Sequence, residues 1–202
     1  MHQIDVNRRA AKRKQTALSI LAKLDLIRRW QRFGRPVVVG ALSYDLLVAP
    51  DIDMEVYCPN LRVADGFEVL NECAQQPGVV KAQFTNFLEG PDKALYWQLR
   101  YREEDGTVWK IDMWSASEDY DLPRSEHMVE PMRASLTPET RLAILDLKEQ
   151  REQDPDFECL SIDLYRAVLQ DGVRTFDELR AWVSCHETGQ LTAWRPIPQS
   201  GT

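Results

Sequence analysis

Apolar residues recur at helical spacing between Asp5 and Phe33, where Ala17, Ile20, Leu21, Leu24 and Ile27 share one side. This predicts one long amphipathic helix, with Asp5 placed as a cap and Gly34 as the stop. The pattern changes at Pro36. Val37, Val38 and Val39 form a short apolar run that ends at Gly40, which predicts a strand followed by a glycine turn and a short helix. From Asp51 to Tyr57 the period becomes two: Ile52, Met54 and Val56 point one way, and Asp51, Asp53 and Glu55 the other. Pro59-Asn60 breaks the chain. Phe67, Val69, Leu70 and Cys73 then make the stripe of a helix over Val63–Gln76, ended by Pro77-Gly78. Val79–Leu88 reads as the next strand. Leu95–Arg102 and Val108–Trp114 alternate on either side of Glu103-Glu104-Asp105-Gly106, the signature of an antiparallel hairpin.

Beyond Ser117 the character changes again. Glu118 to Pro123 reads as an acidic, proline-terminated linker. Thr137 is placed to cap a helix whose first turn holds Pro138 and whose body runs from Thr140 to Lys148. A second helix is predicted over Phe157–Gln170, stopped by Asp171-Gly172. A third runs over Thr175–Cys185, where Thr175 and Glu178 have the spacing of a capping box. The tail from Gly189, with Pro196 and Pro198, reads as irregular. The sum is an α+β chain: a mixed or antiparallel sheet flanked by helices, with a helical C-terminal region. Its units are an N-terminal helix packed on the core (1–34), a sheet domain (35–120) and the helical region (121–202).

With 202 residues the chain can bury one sizeable core plus an appendage. A formal net charge of −7 argues against sequence-independent nucleic-acid binding, which needs surplus Lys and Arg. Arg8, Arg9, Lys12, Arg13 and Lys14 form a basic stretch. Such a stretch is usually a solvated helix face, the alternative being contact with an anionic ligand or RNA. Cys58, Cys73, Cys159 and Cys185 lack the spacing of a zinc site, and His2, His127 and His186 are dispersed. No apolar run is long enough to cross a membrane, and the first residues lack the apolar core of a secretory signal. Reduced cysteines and the absence of an export signal set the expectation of a cytoplasmic protein. Oligomeric state is left open.

The chemistry concentrates on the strand faces. Two carboxylates side by side on a strand, Asp51 and Asp53, repel unless a hard divalent cation lies between them. Asp112 stands at the centre of the hairpin's return strand between apolar neighbours, sharing a face with Lys110 and Trp114. If that strand lies beside the Asp51–Asp53 strand, the three acids converge. Gly40, with no Cβ, lets a phosphate approach the backbone. Arg100, Arg102 and Lys110 lie close in sequence to the third acid and could stabilise phosphate or an anionic acceptor, with Lys110 the best placed. Glu55 is a further ligand or a solvated edge residue, the second being favoured. Among Tyr96, Trp97, Tyr101, Trp109 and Trp114, most are expected in the core, with one or two free to stack on a base.

Gly40-Ala41, then Asp51 and Asp53 one short helix later, then Asp112 on a late strand, resembles the nucleotidyltransferase superfamily with the DNA polymerase beta type of fold. The resemblance covers about residues 35 to 115. It implies metal-dependent transfer of a nucleoside monophosphate from a nucleoside triphosphate to a hydroxyl, with Asp51, Asp53 and Asp112 as catalytic residues and ligands of Mg²⁺ or Mn²⁺. It further implies Gly40, Ala41, Ser43 and Lys110 as nucleotide-binding positions. The family's phosphate-contacting serine is Ala41 here, and Ser43 does not have the spacing of a simple replacement. The overall acidity favours a small hydroxylated acceptor over nucleic acid. The alternatives are a catalytically degenerate nucleotide-binding or regulatory protein of this fold, and an RNA-directed transferase.

Overall fold

The computed structural model describes residues 2–189 and 192–197. The end of the irregular tail, Pro198 included, lies outside the described residues. Helices α1 (His2–Lys23) and α2 (Leu26–Gln31) lead into strand β1 (Arg35–Val39), the single turn α3 (Gly40–Ser43) and β2 (Asp51–Cys58). Helix α4 (Val63–Ala74) then precedes β3 (Val79–Asn86), β4 (Leu95–Arg102) and β5 (Val108–Ser117). Helices α5 (Glu126–Ser135), α6 (Pro138–Glu152), α7 (Ser161–Leu169) and α8 (Phe176–Cys185) complete the chain.

The strands form one mixed sheet in the order β1-β2-β5-β4-β3. All neighbours are antiparallel except β2 and β5, which run parallel. That parallel pairing puts the strand bearing Asp112 directly against the strand bearing Asp51 and Asp53. The architecture is the α+β arrangement expected from the sequence.

Period-two alternation separates the faces. Ile52, Met54, Val56, Trp97, Leu99, Ile111 and Met113 are fully buried, and with Leu24, Leu26 and Trp30 of the N-terminal helices they build the core under one face. Gly66 of α4 is required there. Any Cβ would overlap the Trp97 indole, so glycine lets the helix settle on the ring. A second core unites α6, α7 and α8 through Ile144, Leu164 and Leu179. Helix α1 belongs to both: Val6 and Ala10 enter the C-terminal core, whereas Ala17, Ile20 and Leu21 enter the core under the sheet.

Two expectations for the N-terminal segment are corrected. The long helix over Asp5–Phe33 is two helices, broken where Asp25 adopts a left-handed conformation (φ 48°). The break turns Leu26 and Trp30 into the sheet core, a packing gain that local helical periodicity does not register. Asp5 is not its cap, because the helix already includes His2. The basic stretch lies on a solvated face, as expected, with Arg8, Arg9 and Lys12 exposed; Arg9 and Arg13 also pair with Glu149 of α6, and Lys14 with Asp45. Helix α5 fell in the interval between the predicted linker and Thr137, its short apolar pattern interrupted by Pro131.

The N-terminal caps of α6 and α8 form as expected. Thr137 accepts from the Thr140 amide in a reciprocal capping box, and Thr175 forms the same device with Glu178. No described helix is long and apolar enough to cross a membrane.

Candidate active site

Register brings the acids together. Asp53 pairs with Asp112 across the parallel strands, and Asp51 pairs with Lys110. One carboxylate oxygen from each of Asp51, Asp53 and Asp112 lies within 4.8 Å of the other two. Asp112 is held most tightly. Its Oδ1 accepts from the Tyr96 hydroxyl at 2.7 Å and from Gln98 Nε2 at 3.1 Å. Its Oδ2 lies 2.8 Å from Lys110 Nζ, which also reaches Asp51 Oδ2 at 3.1 Å.

Electrostatics show how much this cluster lacks positive charge. Burial, reinforced by the neighbouring Asp51 and Asp112 charges, pushes the Asp53 carboxyl up to about 7. Burial also raises Asp51, although Lys110 opposes the shift. Desolvation works against the Lys110 ammonium, yet its bonds to Asp112 and Asp51 outweigh that and raise its pKa. Asp51 Oδ1 is buried with no hydrogen-bond partner. An orphaned carboxylate oxygen beside a carboxyl whose charge is disfavoured fits a divalent cation, which prefers hard oxygen ligands.

Gly40 adopts φ +64°, and a Cβ built there would collide with the Asp53 carboxylate. The sequence suggested that this glycine admits a phosphate; its nearest demand is to admit Asp53. Ala41 lines the cleft beside it. Ser43 does not. Its hydroxyl donates to the Gly40 carbonyl at 2.8 Å, and its side faces a separate cavity with Lys14, Asp45 and Arg133. Lys110 is engaged with the acids rather than turned to the cleft wall.

The cleft, about 480 Å³, runs between β2 and the C-terminal helices. Gly40, Ala41, Asp51 and Asp53 form one wall, with Lys148, Arg151, Ser161 and Tyr165 opposite. Lys148 is a functional candidate that the sequence reading passed over. It is 3% exposed, and its Nζ donates to the Leu46 carbonyl at 3.0 Å and to the Tyr165 hydroxyl at 3.2 Å. Burial lowers its pKa to about 8, with Asp53 and Asp51 pulling the other way. The signal was available: Lys148 stands four residues after Ile144 and three after Leu145, on the buried side of its own helix. Arg151, one turn later, donates to the Cys159 carbonyl at 2.9 Å.

Glu55 is neither a ligand nor a solvated edge residue. It accepts from the backbone amides of Ser125 and Glu126 at 2.8 and 2.9 Å and from the Tyr57 hydroxyl at 2.7 Å, fixing the start of α5 to the sheet.

No protein-family model and no curated protein sequence matches the chain. Solved structures do. Cid1 poly(U) polymerase with MgGTP bound superposes with a TM-score of 0.60 at 15% identity, over 78% of this chain and 50% of that one. Cid1 in complex with its short product ApU gives 0.56 at 14% identity, over 78% and 48%. A cytoplasmic RNA terminal U-transferase gives 0.55 at 13% identity, over 79% and 46%. The chain thus spans about half the length of these proteins. By this likeness the chain has the fold of these structures, the nucleotidyltransferase fold.

Proposed function

We propose that the chain transfers a nucleoside monophosphate from a nucleoside triphosphate to the terminal hydroxyl of an RNA. The carrying observation is the convergence of Asp51, Asp53 and Asp112 to within 4.8 Å at the edge of a cleft large enough for a nucleotide. An RNA acceptor is preferred to the small hydroxylated acceptor suggested by net charge, because the similar structures are named as a poly(U) polymerase and an RNA terminal U-transferase.

Asp51, Asp53 and Asp112 would hold Mg²⁺ (or Mn²⁺), with Lys110 yielding its place between Asp51 and Asp112. Bound divalent cations supply charge neutralisation at the α-phosphate and lower the pKa of the attacking hydroxyl. The remaining work falls to the protein. Lys148 and Arg151, opposite the acids, receive the triphosphate's outer phosphates. Gly40 and Ala41 floor the cleft with backbone and a small side chain, leaving room for the α-phosphate. Asp112, oriented by Tyr96 and Gln98, takes the proton from the acceptor hydroxyl. The hydroxyl oxygen bonds to the α-phosphorus, the bond to the β-phosphate side breaks in line, and pyrophosphate leaves.

A second reading, nucleotide binding without transfer, is favoured by one feature. The cleft has Ala41 where the family's serine would stand, and Ser43 is turned to the Gly40 carbonyl. Incubation with α-labelled nucleoside triphosphates, Mg²⁺, an oligoribonucleotide and a panel of small hydroxylated acceptors separates these readings. Labelled RNA that disappears with Asp53→Asn supports transfer. Thermal stabilisation by triphosphate with no labelled product supports binding alone.

A further inference from the structure

The strand register arranges the acid-bearing face of β3, β4 and β5 in rows. Lys81, Arg100 and Lys110 form one row, Gln83, Gln98 and Asp112 the next, and Thr85, Tyr96 and Trp114 the third. Helix α4 packs on the opposite face of β3 and β4, where Gly66 meets Trp97. On the acid-bearing face Lys81 and Gln83 are exposed, and Arg100, Tyr96 and Trp114 are half-buried. Among the described residues neither Lys81 nor Arg100 has a carboxylate partner; Arg100 Nε donates to Gln98 Oε1 at 3.1 Å.

This surface is continuous with the candidate active site. The Tyr96 hydroxyl bonds Asp112, and the Tyr96 ring lies 4.8 Å from that of Trp114. Trp114 stacks at 5.7 Å on Phe87, the planes inclined by 26°. It also walls a cavity of about 200 Å³ with Tyr57 and Tyr120, which adjoins the main cleft at Pro123 and Ser125.

We infer that this face of β3, β4 and β5 binds the single-stranded acceptor, with phosphates along Lys81 and Arg100 and a base against Trp114. The inference rests on the RNA-directed reading above and names the surface that reading requires. A cation row beside partly exposed aromatic rings is the composition of a single-strand site: cations follow the backbone and rings stack on bases of any sequence. Exposed Gln83 between them offers an amide donor and acceptor to a base edge, whereas Gln98 is buried and spent on Tyr96, Asp112 and Arg100. On a chain of net charge −7, Lys81 and Arg100, free of carboxylate partners among the described residues, also favour a polyanion along this row.

The test uses the full chain and two oligoribonucleotides of one sequence. One ends in a 3′-deoxy residue for fluorescence anisotropy, and one is extendable for label incorporation. Lys81→Glu combined with Arg100→Glu should weaken binding of the blocked strand by about tenfold at moderate salt and reduce the salt slope by about two. Trp114→Leu should weaken it by about tenfold and Trp114→Phe far less, since a ring remains to stack. Triphosphate-induced thermal stabilisation should be unchanged in every variant, which also reports that each is folded. If wild-type protein extends RNA while all variants bind and extend it equally, the surface is wrong and nucleotidyl transfer stands. If wild-type protein neither binds nor extends RNA, both readings fall.

Discussion

Gly40 turns its α-carbon onto the carboxylate of Asp53, leaving no room for a side chain between β1 and the acid. With φ at +64° the position is also one that L-residues adopt only with strain. Gly40→Ala combines both penalties and displaces Asp53 from its companions. We expect a loss of about 1–2 kcal/mol in stability, as is usual for strain at such a residue. A misplacement of about 1 Å near the reacting centre lowers turnover by about 100-fold. Urea denaturation alongside label incorporation measures both; full activity in a folded Gly40→Ala protein would detach this glycine from the site.

Asp53 itself gives a prediction in which stability and activity move in opposite directions. Its folded pKa is raised from 3.8 to about 7, so the folded chain holds a proton that the unfolded chain has released between those values. The contribution of Asp53 to stability without metal is therefore fully present below 3.8 and is lost as pH rises through 7. Asp53→Asn removes the like-charge repulsion and should raise stability at pH 8 by roughly 2 kcal/mol while abolishing transfer. Thermal melts across pH 4 to 8 in a chelating agent check this. A wild-type profile parallel to that of Asp53→Asn over that range would contradict the desolvated, repelled carboxyl.

Lys110 occupies the gap between Asp51 and Asp112 and competes with any cation for it. Lys110→Ala leaves those acids without their counter-charge. The metal-free protein should lose about 1 kcal/mol, a modest figure because Lys110 and Asp51 are each about one-third exposed to solvent. Mg²⁺ should then bind about tenfold more tightly, as removal of ~1.4 kcal/mol of competition implies. Isothermal titration with Mg²⁺ reads this directly, and unchanged affinity would mean that Lys110 does not sit where the cation binds.

Much of the sheet and its acids was legible because their signals are local. The alternation at Asp51–Tyr57 and Val108–Trp114 separates an acidic face from an apolar one whatever the partner strand. What brought Asp51, Asp53 and Asp112 together, the parallel β2–β5 pairing, is not written in either strand. The break at Asp25 and the lodging of α5 on Glu55 are tertiary outcomes. Each is stabilised by groups far away in sequence, Trp30 meeting Met113 in one case and Glu55 meeting Ser125 in the other. Lys148 differs: its place among Ile144, Leu145 and Leu147 marked a lysine on a buried helix face, but only the folded cleft assigns it a partner.

The depressed Lys148 pKa sets a pH dependence of its own. Burial lowers it from 10.5 to about 8, so between those values the unfolded chain holds a proton that the folded chain has lost. The Lys148 contribution to stability should rise with pH across that window, the cost of a buried ammonium being relieved as the amine turns neutral. Triphosphate binding should move the other way. If Lys148 receives the phosphates as proposed, the cleft loses one of its cations above about pH 8, and KM for the triphosphate should rise severalfold between pH 7 and 9.5. Lys148→Met should raise KM throughout and flatten its pH profile; a mutant with the wild-type profile would remove Lys148 from phosphate binding.

Glu55 links the sheet to the cleft's rim. Its carboxylate is the acceptor for two amides at the start of α5, and that helix carries Met128 into the cleft wall. Carboxylates at a helix N-terminus satisfy orphan N–H groups and oppose the helix dipole. Glu55→Ala should destabilise the fold by about 1–2 kcal/mol and increase amide hydrogen exchange at Ser125–Met128 before anything changes at Asp51 or Asp112. Transfer should then fall through a higher KM with kcat nearly kept. A collapse of kcat at unchanged KM would instead place Glu55 among the groups that touch the reacting atoms.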